Sequence, residues 1–392
     1  MGRLRLLVVS TALHHSHRFR LQGLLPRLAA RFRVEVVDVP LLGYDRGPGE
    51  PLGVFARRVV GSFMKPVRSL VEGVGGWAIR SPVPGGFGPL AGYPALRGLM
   101  ARISRGYDAV LASPLLAGFM ALHSPRGGAP LIYEDVDRFY GFYAGGPLEA
   151  PVKAMEYSTI TGSDCVIAVS PHLYAEDKAL RRGRETHLVP NGVDYQGFLG
   201  ERLRAGRRRD RRRLVYVGAV EWWSGVELLA EAVEKASRRV PGLRLYVVGD
   251  AKTRYAAEAA RRAPGRIVFL GRRPYSFVKK LLPRCRLGLL GFPSTRVTRE
   301  AFPYKVLEYC AAGTPVVMTR VTALAGMVEE MGAGSVVEPG DADAMAEEIV
   351  RLVTDDDEWA EASTAADRLA RLFDEERLAG IEAGIIERVA GG

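Results

Sequence analysis

Between Arg299 and Val317 the chain reads REAFPYKVLEYCAAGTPVV, with Glu300 and Glu308 eight positions apart and Lys305 between them. Pro303 suits the first turn of a helix, where a missing N–H leaves nothing unsatisfied. Gly313 suits the position just past a helix end. These signals predict a helix over 303–312. Its N-terminus would offer uncapped N–H groups and the positive end of the helix dipole, which together make an anion site. A lysine in that first turn opposes the dipole unless an anion compensates it, and phosphate is the natural candidate. Glu308 then lies about 7 Å along the axis at 1.5 Å per residue. That is the reach from a phosphate to a neighbouring ribose, whose two hydroxyls a carboxylate can accept from. Glu300, ahead of the helix, falls on the far side, where it would meet the group carried by the distal phosphate. The pattern thus fits ribose, diphosphate and sugar laid across one helix start; the same spacing also fits three solvated surface charges.

Other groups invite chemistry less specifically. Asp135 and Asp137 follow the run PLIYED, at the carboxyl edge of a strand where α/β folds build sites. Either could act as general base on an acceptor hydroxyl, orient an acceptor, or cap a loop. His14, His15 and His17 follow the first strand and could contact an acceptor or phosphate; no carboxylate or cysteine spacing supports a metal there. Trp222 and Trp223 could stack on a base or sugar, or pack. The arginine-rich run at 202–214 reads as a solvated linker, since no nucleic-acid module accompanies it. The Gly- and Pro-rich stretch 40–106 mixes cations such as Arg68 and Arg97 with Trp77 and Leu99. It suits an insertion that docks on an anionic membrane, or one that simply folds with solvated charges.

The elements that must position these groups alternate along 392 residues, enough for two domains. LRLLVVS, VEVVDV, YDAVLAS, PLIYED and DCVIAVS read as strands of one doubly wound sheet. LVYVGAV, LRLYVVGD, RIVFLG, RLGLLGFP and PVVMT read as those of a second. The expected division is 1–198 with the insertion at 40–106, then 199–374, then a helix over 375–392 that returns to the first domain. Three scattered cysteines suit a reducing compartment. No run of about 20 apolar residues predicts a spanning helix, and the start of the chain is unlike a secretion signal. A cytoplasmic protein, peripheral at the inner face of the membrane, is expected. The net charge of +11 points to an anionic partner.

The opening stretch resembles the retaining glycosyltransferases of family 4, built on the GT-B fold of two Rossmann-like domains. Their mark is a glutamate, seven residues, a second glutamate and a small-residue turn before GTPVV; here these are Glu300, Glu308 and AAGTPVV. VPNGVD, LVYVGAV with GVELLAEAV, and RIVFLGRRPYSFVKKLLPRCRLGLLGFPS resemble other segments of that family in the same order. The resemblance implies transfer of a sugar from a nucleotide diphosphate-sugar to a hydroxyl, with no metal or cofactor, and a lipid-linked or surface-glycan acceptor. It places Glu308 at the ribose, Glu300 at the donor sugar, and Lys305 with Pro303, Tyr304 and Gly218 around the diphosphate. Gly271, Arg272 and Arg273 would lie near the base. Two cations that the family sets on the diphosphate are replaced by Ala219 or Val220 and by Ser224, leaving Lys305, with Arg296 or Arg299, to act for them. FPYKVLEY is closer to a branch of surface-polysaccharide enzymes. A nucleotide-sugar epimerase on the same fold, or a non-catalytic protein using the basic surface on nucleic acid or membrane, would share some of these features.

Overall fold

Short aliphatic runs bounded by turn residues become strands, and Ala109–Ser113, Leu131–Asp135, Cys165–Ala168, Cys285–Leu290 and Val316–Thr319 are buried throughout, as parallel sheets covered on both faces require. The computed structural model describes residues 3–11, 13, 20–39, 66–71, 73–79, 88–206 and 209–391. The chain divides into two compact units, 1–190 with 376–392, and 191–375.

In the first unit the strands are β1 (Arg5–Ser10), β2 (Arg33–Asp38), β3 (Val67–Val71), β4 (Val74–Ala78), β5 (Ala109–Ser113), β6 (Leu131–Asp135), β7 (Cys165–Ala168) and β8 (Thr186–Leu188). They lie in the order β3-β4-β2-β1-β5-β6-β7-β8. All pair in parallel except β3 with β4. That antiparallel hairpin belongs to the stretch expected as an insertion. Trp77 donates to Glu35 at 2.9 Å and lies under the Arg68 guanidinium, and Leu99 is core, so neither is an exposed docking group. Val67 and Leu70 on β3 are exposed. The helix Glu375–Gly391 supplies Glu382 to this unit: Arg20 bonds Glu134 at 2.5 Å, the Pro190 carbonyl at 2.7 Å, and Glu382.

The second unit holds β9 (Asp210–Val217), β10 (Arg244–Val248), β11 (Ile267–Gly271), β12 (Cys285–Leu290), β13 (Val316–Thr319) and β14 (Gly334–Val337), ordered β11-β10-β9-β12-β13-β14 and all parallel. The arginine-rich run is partly solvated, with Arg204, Arg211 and Arg212 exposed, but it is not a linker. The helix Tyr195–Ala205 takes its first part and β9 its second, with Arg213 opposite Arg244 in the sheet. Arg209 bonds the Ala312 carbonyl at 3.0 Å and Thr314 Oγ1 at 3.2 Å, and stacks on Trp359. Backbone carbonyls and a ring face therefore absorb charge that the run alone assigns to water.

Where the chain enters and leaves this unit, Val193 and Asp374 form a parallel bridge. Val193 donates to the Phe373 carbonyl at 2.8 Å, and Glu375 donates to that of Val193 at 3.0 Å. No helix among the described residues is long and apolar enough to cross a membrane, and Cys165, Cys285 and Cys310 are buried free thiols.

Candidate active site

The carboxyl ends of β9, β10, β11 and β12 share one edge of the second sheet, where side chains from four turns converge. Gly218 follows β9 at φ 140°, and a Cβ there would lie 2.6 Å from Lys305 Nζ. Gly249 follows β10 at φ 153°, and its Cβ would lie 1.9 Å from the Gly218 carbonyl oxygen. Only glycine permits these two turns to approach each other and Lys305 so closely.

Against this edge stands the helix Tyr304–Ala311. It begins one residue later than Pro303 at the first turn would give: Pro303 is its N-cap, at φ −74° and ψ 116°. Proline presets that extended entry, and no side chain caps the first N–H groups. Gly313, at φ 62°, takes the left-handed position beyond the C-cap, Ala312. Asn191, in VPNGVD, donates from Nδ2 to the Phe302 carbonyl at 2.8 Å, and the Phe302 and Phe373 rings lie 5.4 Å apart. Asn191 thus holds the backbone that feeds this helix, a role that its own sequence neighbourhood does not reveal.

Lys305 is the second residue of the helix. Its ammonium lies over the rings of Tyr216 (4.5 Å to the centroid), Phe292 (5.4 Å) and Trp223 (5.6 Å), and donates to Tyr216 Oη at 3.2 Å. It pairs with no carboxylate among the described residues. Burial pushes the ammonium down to about 7, opposed by the charge of Glu308. Glu308, one turn further on, is 6% exposed. Glu300 closes the short preceding helix Arg296–Glu300, which a Thr295–Thr298 capping box starts, and it pairs with Arg296 at 2.9 Å. Arg296 is thereby engaged, and Arg299 bonds Ser294 at 3.3 Å. Gly271 ends β11 at φ 68°; Arg272 pairs with Asp250 at 2.9 Å, and Arg273 lies over Phe277. Trp223 packs edge-on against Phe292, while Trp222 is exposed.

In the first unit Asp135 ends β6 as the spacing requires, but it is fully buried. Arg138, three residues on, bonds Asp135, reaches Asp177 at 2.5 Å and meets Glu176 at 3.2 Å. Glu156, also buried, accepts the Phe139 N–H at 3.1 Å. Asp137 is half-buried. The carboxylates around one guanidinium exceed its charge, and burial pushes Glu156 up to about 8 and Asp177 up to about 9. In the Arg20 cluster, burial likewise pushes Glu382 up to about 8. All three rise above ordinary unfolded values of about 4, so the folded unit holds extra protons. Their contribution to stability is complete below those unfolded values and is lost as pH rises through 8–9. We expect the urea midpoint of this unit to fall steadily from pH 6 to pH 9; a flat or rising midpoint would contradict the assignment. His14, His15 and His17 lie outside the described residues.

Among the described residues, Cys165, Glu185 and His187 bring three metal-ligating types together at the start of β7 and β8. His187 already pairs with Glu185 at 2.9 Å, and the charges of Arg181 and Arg388 act on Cys165. Burial pushes the Cys165 thiol up, and the charges of Glu185 and Glu382 act on it against those of Arg181 and Arg388.

Comparison with known proteins finds a family model in each half of the chain. Residues 21–196 match the family model of Glycosyltransferase Family 4, and residues 211–355 that of Glycosyl transferases group 1. A phosphatidyl-myo-inositol mannosyltransferase of Mycolicibacterium smegmatis is 28% identical over 179 residues, 44% of each chain. A glycogen synthase of Mycobacterium tuberculosis is 30% identical over 241 residues, 59% of this chain and 56% of that one. The matched stretch is thus about half the length of these curated relatives. Among solved structures, Anabaena HepE in complex with UDP and glucose superposes with a TM-score of 0.71 at 16% identity, covering 98% of this chain and 100% of that one. The sucrose-phosphate synthase of Thermosynechococcus elongatus gives 0.73 at 19% identity, covering 99% of each. With a glycosyltransferase signature in each half and this architecture throughout, the chain belongs to the family 4-like glycosyltransferases of the GT-B fold.

Proposed function

We propose that the protein transfers a sugar from a nucleotide diphosphate-sugar to a hydroxyl of a lipid-linked or surface-glycan precursor, with retention of configuration and without a metal. The observation that carries this reading is Lys305, Glu300 and Glu308 disposed about the uncapped start of the helix Tyr304–Ala311, beside the Gly218 turn. The N–H groups at the helix start and the ammonium would take the diphosphate, and they would stabilise the negative charge that grows on it as the glycosidic bond breaks. Glu308 would hold the ribose and Glu300 the sugar hydroxyls. Arg272, fixed by Asp250 at the end of β10, would lie by the base. Two structures of HepE, in complex with UDP and with UDP-glucose, make uridine donors the first to test. The relatives named for phosphatidyl-myo-inositol mannosyl transfer and for teichuronic acid biosynthesis support a lipid or surface-polymer acceptor. Such an acceptor would bring the enzyme to the inner face of the membrane.

The reading is tested with a panel of UDP-, GDP- and ADP-sugars, calorimetry, and NMR of the product anomer. One donor should bind, and Glu308→Ala should weaken it about 10–100-fold, the worth of one or two charge-assisted hydrogen bonds. Equal affinity in the variant overturns the ribose assignment. An inverted product overturns retention, and donor epimerisation in acceptor-free buffer favours the epimerase.

A further inference from the structure

The Lys305 site departs from an ordinary phosphate-binding lysine. An exposed lysine awaits its anion fully charged, with water around it. Here three ring faces and one tyrosine hydroxyl surround the amine, and the Gly218 backbone closes another side. The Tyr216 hydroxyl gives its own hydrogen to the Ala219 carbonyl at 2.9 Å, so it faces Lys305 as an acceptor. It serves an amine and an ammonium alike. Ring faces attract a cation, but by far less than full hydration does. The position on the helix, its second residue, adds the repulsion of the positive dipole end.

The neighbouring groups do not supply the missing charge. Phe292 and Trp223 do not titrate. Burial pushes the phenols of Tyr216 and Tyr309 up, so both stay neutral. Glu227, which acts on Tyr216 from the helix Val226–Ser237, is itself raised by burial. Among the described residues Glu308 is the one group whose charge favours the ammonium, and burial outweighs it.

We propose that Lys305 is a proton-coupled diphosphate clamp: its amine is only partly charged in the empty site, and a proton enters with the donor's diphosphate. The inference rests on the donor-site reading above. The diphosphate supplies at one stroke the negative partner that the cage withholds, and the equilibrium N + H⁺ to N–H⁺ moves to completion. Donor affinity then weakens as pH rises above neutrality, because the proton becomes harder to recruit. Product diphosphate leaves more readily under the same conditions. Substituting one cation of fixed charge for the family's two diphosphate cations would give no such dependence.

The test uses UDP-glucose, GDP-mannose and ADP-glucose, whose diphosphate diesters do not titrate near neutrality. Calorimetry in buffers of differing ionisation enthalpy reads protons taken up on binding. With a free-site value of about 7, uptake should be about half a proton at pH 7 and approach one at pH 8. Lys305→Arg, which cannot lose its proton, should bind with uptake near zero. Binding to wild type without uptake at pH 8, or equal uptake by Lys305→Arg, overturns the clamp and leaves the donor site standing. Failure of all three nucleotide-sugars to bind overturns the donor-site reading, and the clamp with it. Independently of any donor, reductive ¹³C-methylation followed by NMR, with Lys305→Arg assigning the resonance, should show Lys305 titrating near pH 7. A midpoint at the ordinary lysine value of about 10.4 overturns the inference outright.

Discussion

Arg138→Met should destabilise the first unit by about 3–5 kcal/mol, the usual consequence of removing one partner from a buried ion pair. The side chain is wholly buried, and methionine fills much of its volume, so little of the loss comes from a cavity. What remains is Asp135, Asp177 and Glu156 enclosed together with no cation among them, and Glu176 at the margin. Without the guanidinium, whose charge lowers Glu156 and Asp177, both carboxyls rise further, so the loss relative to wild type should be greater at pH 9 than at pH 5. Urea unfolding at the two pH values measures both effects. An equal loss at each would mean that charge is not what Arg138 contributes.

The second large effect is on activity. Lys305→Met should lower kcat/KM by about 10²–10³-fold, the cost of removing one charge stabiliser from a developing oxyanion. The same change should leave the thermal midpoint unchanged or raised, since a thioether sits among Tyr216, Trp223 and Phe292 without the desolvation that the ammonium suffers. Full activity in this variant would move the diphosphate elsewhere. Lost activity together with lost stability would make Lys305 a structural residue.

The contrast between these two sites shows what one-dimensional reasoning could reach. Glu300, Lys305 and Glu308 lie within nine residues, and a helix signal fixes their order in space; their relation was legible because it is local. Tyr216 and Phe292, which determine what the lysine can do, come from β9 and from the turn after β12, and no spacing rule joins them to it. Asp135 was placed at the carboxyl edge of its strand by period alone. That Arg138 and Asp177 would fold over it depends on a neighbouring helix, Pro171–Arg181, whose pattern shows only an amphipathic stripe. The arginine run misled as to its place more than its exposure: Arg211 and Arg212 are exposed yet lie on β9, and Arg209 lies over the Trp359 ring and bonds a carbonyl oxygen. The β3–β4 hairpin escaped notice in a stretch rich in glycine and proline, residues that mark turns more readily than strands.

The paired backbone at Val193 and Asp374 has a consequence for how the chain can be handled. The second unit's ends, Asn191 and Glu375, are already neighbours, with Glu375 hydrogen-bonded to Val193. A segment whose ends meet is a cassette: it can be lifted from one chain and spliced into another without stretching either. Residues 191–375 are therefore the natural boundaries for exchanging this unit among relatives, and for preparing it by itself.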